Sequence, residues 1–289
     1  VGRLLPQRYQ IISKIKIAAP DCLTKAYKGN DYICLMKAFF AAATFILLMA
    51  GCTNTDTNGD TNTGNTEPAT PVLTYSVVAT YPHDTSSFTQ GLTFFDGQLL
   101  EGTGNRGKSK LLQVDLATGE AIKKVDLPPT LFGEGIVVLN DTLYQLTWEE
   151  RVVLLYNAKT FEKIGQLPLG HEGWGITTDS VNLIVTDGSN NLYFYEPGTF
   201  RLLRTQGVTE GGAPAVNLNE LEFINGYIYA NQYMYPYILK IDPQSGHVVS
   251  KLDLTELIKR NKALYPGVAE LRGIAYNRET GKIYVTGKW

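Results

Sequence analysis

From Leu73 onward, apolar and polar residues alternate in short runs separated by Gly, Asn, Asp and Thr, the period of half-buried strands and not of helices. The runs recur. Five segments that align with one another open at Gln90-Gly91-Leu92, Glu134-Gly135-Ile136, Trp174-Gly175-Ile176, Glu220-Leu221-Glu222 and Arg272-Gly273-Ile274, roughly 40 to 50 residues apart, as propeller blades are. Each leads through a turn to a second alternating strand, at Gln98-Leu99-Leu100, Thr142-Leu143-Tyr144, Asn182-Leu183-Ile184, Tyr227-Ile228-Tyr229 and Lys282-Ile283-Tyr284. In the first four units a third strand follows and ends on an acidic or amide residue, Asp115, Asn157, Glu196 or Asp242. Thr118, Thr160, Thr199 or Ser245 comes next, and then a fourth strand. Units of four strands predict an all-β fold, a five-bladed β-propeller over residues 72–289. The fifth unit reaches Trp289 after two strands, while Leu73 to Tyr81 is a strand left over at the front. That strand is expected to pair into the fifth blade and close the ring, with the last blade incomplete at its C-terminus, either thin or cut short. Helix is scarce; Leu254 to Lys262 has apolar residues at helical spacing and predicts one short helix.

Ahead of residue 72 the pattern changes. Met36-Lys37 precedes an apolar run, Ala38 to Ala50, of the size of a signal-peptide h-region. It runs into Met49-Ala50-Gly51-Cys52, which resembles a bacterial lipobox and implies a signal peptide over 36–51 with lipidation of Cys52. Residues 52–71 are mostly Thr, Asn, Asp and Gly, too polar to offset their ordering entropy, and are expected to form a flexible tether. Asp56, Asn58, Asp60 and Glu67 fall at EF-hand spacing, but Thr61 stands where that loop needs glycine. Residues 1–35 show no clear period and are expected to be upstream, non-native translation. The expected location is the bacterial cell envelope, outside the cytoplasm, with membrane contact through the lipid anchor alone.

The net charge of −2 argues against a nucleic-acid partner or a polybasic membrane surface. Cys22, Cys34 and Cys52 all precede the repeats, so the propeller has no disulfide framework, and a monomer held by packing is expected. His83, His171 and His247 lack ligand spacing, so neither a metal nor a cofactor is expected. Gly102-Thr103-Gly104-Asn105-Arg106-Gly107 fits a dinucleotide spacing, yet the segment after it alternates as a strand where a helix is required, which makes it a blade loop. Equivalent positions in the five openings converge on the axis of a propeller. Here they hold Gln90, Glu134, Trp174, Glu220 and Arg272, and a ring that diversifies in this way predicts a pocket.

Several blocks in order, Tyr81-Pro82-His83-Asp84, Phe88-Thr89-Gln90-Gly91-Leu92, Phe132-Gly133-Glu134-Gly135, Gln145-Leu146-Thr147-Trp148, Glu172-Gly173-Trp174-Gly175, Leu218-Asn219-Glu220-Leu221-Glu222, Tyr229-Ala230-Asn231 and Val285-Thr286-Gly287-Lys288, resemble the glutamine cyclotransferase family of plant and bacterial type. The resemblance implies conversion of an N-terminal glutamine of a peptide or protein to pyroglutamate with release of ammonia, without a metal. Glu134 matches the family's acidic catalytic position and is expected to act as general acid/base, its pKa raised by aromatic neighbours such as Phe132 and Trp174. Gln90, Asn219 and Lys288 match positions near the site and are expected to bind the substrate carboxamide, with Phe132, Trp148 and Trp174 as walls. The sequence departs from the family pattern twice. Tyr233 stands where a tryptophan is usual, and is expected to stack on the substrate. Arg272 stands at a position normally neutral, with three roles open to it: pairing with Glu220 or Glu222, holding a substrate carboxylate, or reaching Glu134 and keeping it ionised. The alternative to an enzyme is a catalytically silent envelope propeller that binds a peptide or glycan.

Overall fold

The computed structural model describes residues 7–17, 68–264, 266 and 270–288. The apolar run, the three cysteines and most of the polar tether lie outside the described residues. Strands β1 (Gln7–Ile17) and β2 (Val72–His83) come first in the chain. Three antiparallel sheets of four follow, each wound from consecutive strands. The first holds β3 (Thr89–Phe95), β4 (Gln98–Thr103), β5 (Lys110–Val114) and β6 (Ala121–Asp126). The second holds β7 (Gly133–Leu139), β8 (Thr142–Thr147), β9 (Val152–Asn157) and β10 (Lys163–Pro168). The third holds β11 (Ile176–Thr178), β12 (Leu183–Val185), β13 (Asn191–Tyr195) and β14 (Leu202–Gly207). A small hairpin, β15 (Thr209–Glu210) and β16 (Ala213–Pro214), separates these from β17 (Leu218–Ile224), β18 (Tyr227–Gln232), β19 (Tyr237–Ile241) and β20 (Val248–Asp253). Helix α1 (Thr255–Leu264) then leads to β21 (Leu271–Asn277) and β22 (Lys282–Gly287). The last six strands and the first two form one continuous sheet in the order β17-β18-β19-β20-β2-β1-β22-β21. The fold is thus all-β, a propeller-like arrangement of small sheets, and the expected short helix is present as α1.

Local chemistry explains the winding. The first hairpin turns at Asp96-Gly97, Asn140-Asp141 and Asn225-Gly226 all have positive φ, the conformation of two-residue turns whose twist matches the flanking strands. The acidic or amide residue that ends each third strand folds the next turn. Asp115, Asn157 and Asp242 each accept a backbone N–H two residues on, at 2.8–2.9 Å. The hydroxyls of Thr118, Thr160, Thr199 and Ser245 accept the N–H two residues further along, at 3.2–3.3 Å. Two side chains three residues apart therefore turn the chain from third strand to fourth, with Glu196 in the third unit accepting the Thr199 hydroxyl instead of a backbone N–H.

Apolar side chains fill the space between neighbouring sheets, as where Leu100 and Leu111 of one meet Ile136, Leu143 and Leu154 of the next. The fourth strands β6, β10 and β14 are largely exposed, whereas the first strands are buried. First strands touch in the order β3, β7, β11, β17, β21 and back to β3. Glu220 on β17 bridges two others: Oε2 accepts the Ile274 N–H at 2.8 Å and Oε1 the Leu92 N–H at 3.3 Å. Burial holds this carboxyl well above the usual carboxylate range, against the pull of those two N–H groups. Glu220→Leu would leave both N–H groups buried and unpaired, at about 1–3 kcal/mol each, so a clear fall in Tm is expected. An unchanged Tm would show that these bonds do not join the sheets.

Strand β1 has no counterpart in the sequence reading, which gave residues 1–35 no structural role. It pairs antiparallel with β2 from Gln7↔His83 to Ile17↔Leu73, and with β22 through Gln10↔Val285 to Ile12↔Ile283. Without it β22 would present a row of unpaired backbone groups on that side. Strand β2 also touches β20 in a short parallel pairing at Val72 and Leu73.

Candidate active site

Antiparallel pairing brings the starts of the first strands and the ends of the second strands to one face: Thr89 opposite Thr103, Gly133 opposite Thr147, Leu218 opposite Gln232, and Leu271 opposite Gly287. Residues there enclose a cavity of about 210 Å³, lined by Phe88, Gln90, Phe132, Glu134, Trp148, Trp174, Tyr233, Arg272 and Lys288. Phe88-x-Gln90 and Phe132-x-Glu134 share a spacing of two, so on consecutive sheets an aromatic and a polar side chain point the same way.

A relay of hydrogen bonds crosses this cup. Gln90 Nε2 donates to Glu134 Oε1 at 2.6 Å, and Arg272 Nη1 donates to Gln90 Oε1 at 3.0 Å. Glu134 Oε2 is buried with no hydrogen-bond partner. Burial pushes the Glu134 carboxyl up to about 8, although Arg272, Lys288 and the Gln90 bond all pull it down. Burial, and then the charge of Arg272, bring the Lys288 ammonium down to about 8, while Glu270, 3.7 Å away, works in the other direction. Burial lowers the Arg272 guanidinium as well. Each cation faces aromatic rings: Arg272 lies 4.6 Å from the centre of Tyr233 and 5.8 Å from that of Trp174, and Lys288 lies 4.1 Å from that of Phe88.

The walls are fixed from behind. Glu172 Oε2 accepts the indole N–H of Trp148 at 2.9 Å and that of Trp174 at 3.3 Å. Phe132 meets Trp148 edge-on at 5.5 Å, and Trp174 meets Tyr233 edge-on at 5.7 Å. Both indoles therefore have a satisfied polar edge and present carbon to the cup.

Of the residues expected at the site, Gln90, Phe132, Glu134, Trp148, Trp174, Tyr233 and Lys288 line the cavity. Asn219 does not; it is fully buried on β17, with neither amide atom partnered. The expected convergence of Glu220 with the others also fails, because its carboxyl turns to the backbone of β3 and β21. Arg272 pairs with neither Glu220 nor Glu222 and reaches Glu134 only through Gln90. Phe88 and Glu172 were not singled out from the sequence, though both sit inside the motif blocks; the spacing of two before Gln90 was the available sign for Phe88. His83 is buried elsewhere, bonded to Glu101 at 3.0 Å and to Thr286 at 3.2 Å. Among the described residues no group of His, Cys, Asp and Glu is disposed to hold a metal ion. A larger cavity of about 470 Å³ lies at the other end of the first strands, beside the turn residues Asp96, Gly97 and Asn140. Its Glu222 carboxyl is raised to about 8 by burial and accepts the Tyr276 N–H at 3.0 Å. Asp96, Glu279, Asn140, Asn277 and Arg278 also line that cavity, but Glu222 is engaged with backbone, whereas Glu134 in the smaller cup keeps one buried oxygen unpartnered among aromatic walls.

A propeller-like fold that gathers a buried carboxyl, an amide and an ammonium in one aromatic cup defines a class of proteins with a small polar ligand site at the propeller's mouth. The family model for glutamine cyclotransferase matches residues 45–289. Glutaminyl-peptide cyclotransferase of Arabidopsis thaliana is 36% identical over 219 residues, covering 73% of this chain and 67% of its own. The crystal structure of Myxococcus xanthus glutaminyl cyclase superposes with a TM-score of 0.67 at 35% identity, covering 72% of this chain and 89% of its own. The chain belongs to the glutamine cyclotransferase family.

Proposed function

We infer that this chain is a glutaminyl-peptide cyclotransferase in which Glu134 moves the proton. The α-amine of an N-terminal glutamine attacks the carboxamide carbon of the same residue, forming a five-membered ring. The amine must lose one proton and the departing nitrogen must gain one to leave as ammonia. Glu134 as carboxylate takes the first and returns it to the second, ending as it began. The cup folds the substrate so that amine and carboxamide meet, and Lys288 and Gln90 offer N–H groups to the oxygen that gains charge. The observation that carries this reading is the unpartnered Glu134 Oε2, a buried proton site whose carboxyl is raised by burial to about 8. Ammonia release from a Gln-initiated peptide tests it: a folded chain that releases none is instead a binding propeller.

The same reading takes the eight-stranded sheet as two blades, β17-β18-β19-β20 and β21-β22-β1-β2, which makes five blades with β2 outermost in the last. The cyclic contacts of the first strands support it. It also retains the lipid anchor at Cys52 and the envelope location, supported by the apolar run before that cysteine; cleavage there removes β1, so in the anchored protein the last blade is β21, β22 and β2 without it. A monomer is sufficient, since one chain supplies every residue lining the cup.

The pH profile has a defined sign. A cation beside a carboxyl favours its ionised form, so Lys288 lowers the Glu134 pKa. In Lys288→Met the rising limb of kcat/KM against pH is expected to move to higher pH. The substrate amine titrates alike for both enzymes, so the displacement reports on the pocket. A shift to lower pH, or none, would uncouple the two groups.

A further inference from the structure

Arg272 is not explained by the proton transfer. Its side chain is buried on β21 in the wall of the cup, and it has no carboxylate ion-pair partner among the described residues. Nη1 donates to Gln90, the Tyr233 side chain also acts on the guanidinium, and Nε is buried with no partner at all. A buried guanidinium with no carboxylate in ion-pair contact is poorly compensated, which an anion arriving with the substrate would offset. Other nearby charges do not supply that anion. Glu134 and Glu270 act on the guanidinium from a distance, but neither lies within ion-pair reach of it: Glu270 stands against Lys288, Glu134 meets Arg272 through Gln90, and Glu172 is taken up by two indoles. Tyr233 and Trp174 lie against the planar guanidinium, 4.6 and 5.8 Å from their ring centres. The relay also fixes how far away the anion can be. Arg272 is one amide side chain from Glu134, so a group bound to it lies next to the reacting residue and not further along a peptide.

We propose that Arg272 makes this pocket selective for substrates that carry a carboxylate immediately beside the reacting glutamine. The inference rests on the cyclotransferase reading. Two sources offer that chemistry: the α-carboxylate of free glutamine, and the side chain of an acidic second residue.

The test compares kcat/KM for glutamine, Gln-Glu-amide and Gln-Ala-amide, together with binding of pyroglutamate and pyroglutamyl-amide followed by quenching of tryptophan fluorescence. At least one carboxylate-bearing substrate is expected to exceed Gln-Ala-amide by about tenfold, the size of one charge-assisted hydrogen bond. Which one does so identifies the source. Pyroglutamate is expected to bind about tenfold more tightly than its amide by the same contact. Arg272→Gln should bring both ratios close to one, and Arg272→Lys should keep part of each. Equal rates and equal affinities in the unaltered enzyme overturn the proposal, and turnover of Gln-Ala-amide would then leave the cyclotransferase reading standing. Should no substrate turn over, that reading fails, and the two binding constants still decide whether Arg272 holds a carboxylate.

Discussion

Glu134→Gln is expected to lower kcat/KM on a Gln-peptide by about a hundred- to ten-thousandfold while the protein stays folded. Glutamine keeps the volume and an oxygen for Gln90 Nε2, which now donates at 2.6 Å, so the relay to Arg272 survives. What is lost is the group that can take a proton from the amine and give it to the leaving nitrogen. Stability separates this from a structural role. The carboxyl is raised from 4.5 to about 8 on folding, so the folded state holds a proton that the unfolded chain gives up between those values. Stability from this site is therefore greatest at low pH and falls as pH rises through that window, reaching its full loss above the folded pKa. The amide does not titrate. The variant's Tm, relative to the unaltered protein, should consequently be higher at pH 8 than at pH 4.5. Calorimetry at both values and a coupled ammonia assay check the two halves. A folded variant with undiminished turnover removes Glu134 from the mechanism.

Much of this was legible because blade-like repeats write their turns into the sequence. Asp115 with Thr118 and Asn157 with Thr160 recur at one offset since the same side-chain-to-backbone bonds turn the chain each time. Glu134 was singled out instead by its match to the acidic catalytic position of the family the chain resembles, while the diversified ring it belongs to predicted only a pocket. Less visible was whatever depends on two sheets meeting. Glu220 and Arg272 occupy equivalent places in their units, yet one bonds backbone N–H groups and the other an amide in the cup. The sequence put both at the axis and could not say which way either would turn. Strand β1 lay beyond reach too: no repeat pattern marks residues 7–17, and pairing with β2 and β22 gives them a place.

A large loss of stability is expected from Gly175→Ala. A Cβ built on Gly175 would lie 2.0 Å from the carbonyl oxygen of Asn219 and 2.7 Å from both the Asn219 carbonyl carbon and the Glu220 Cα. All three are backbone atoms of β17, so no rotamer change relieves the contact. Strands β11 and β17 would have to part, and bonds on both sides resist. Gly135 N–H donates to the Trp174 carbonyl at 2.9 Å, and Thr186 Oγ1 donates to the Asn219 carbonyl while accepting the Gly175 N–H. Overpacking a core usually costs about 1–3 kcal/mol, and a contact with fixed backbone belongs above that range. At roughly 2–4 °C per kcal/mol in a domain of this size, the Tm should fall by about 10 °C or more. Two further glycines calibrate the effect. Gly273→Ala meets the Leu92 Cδ1 at 2.6 Å, the far end of a side chain that can shift, and should lose less. Gly207→Ala meets only the Asn190 Nδ2 at 3.7 Å and should lie close to the unaltered protein. Because Trp174 precedes Gly175 and forms the cup's wall, whatever Gly175→Ala protein folds should also bind pyroglutamate more weakly. Equal Tm values for the Gly175 and Gly207 variants would mean that β11 and β17 do not approach backbone to backbone, and the geometry that sets Trp174 opposite Tyr233 would lose its foundation.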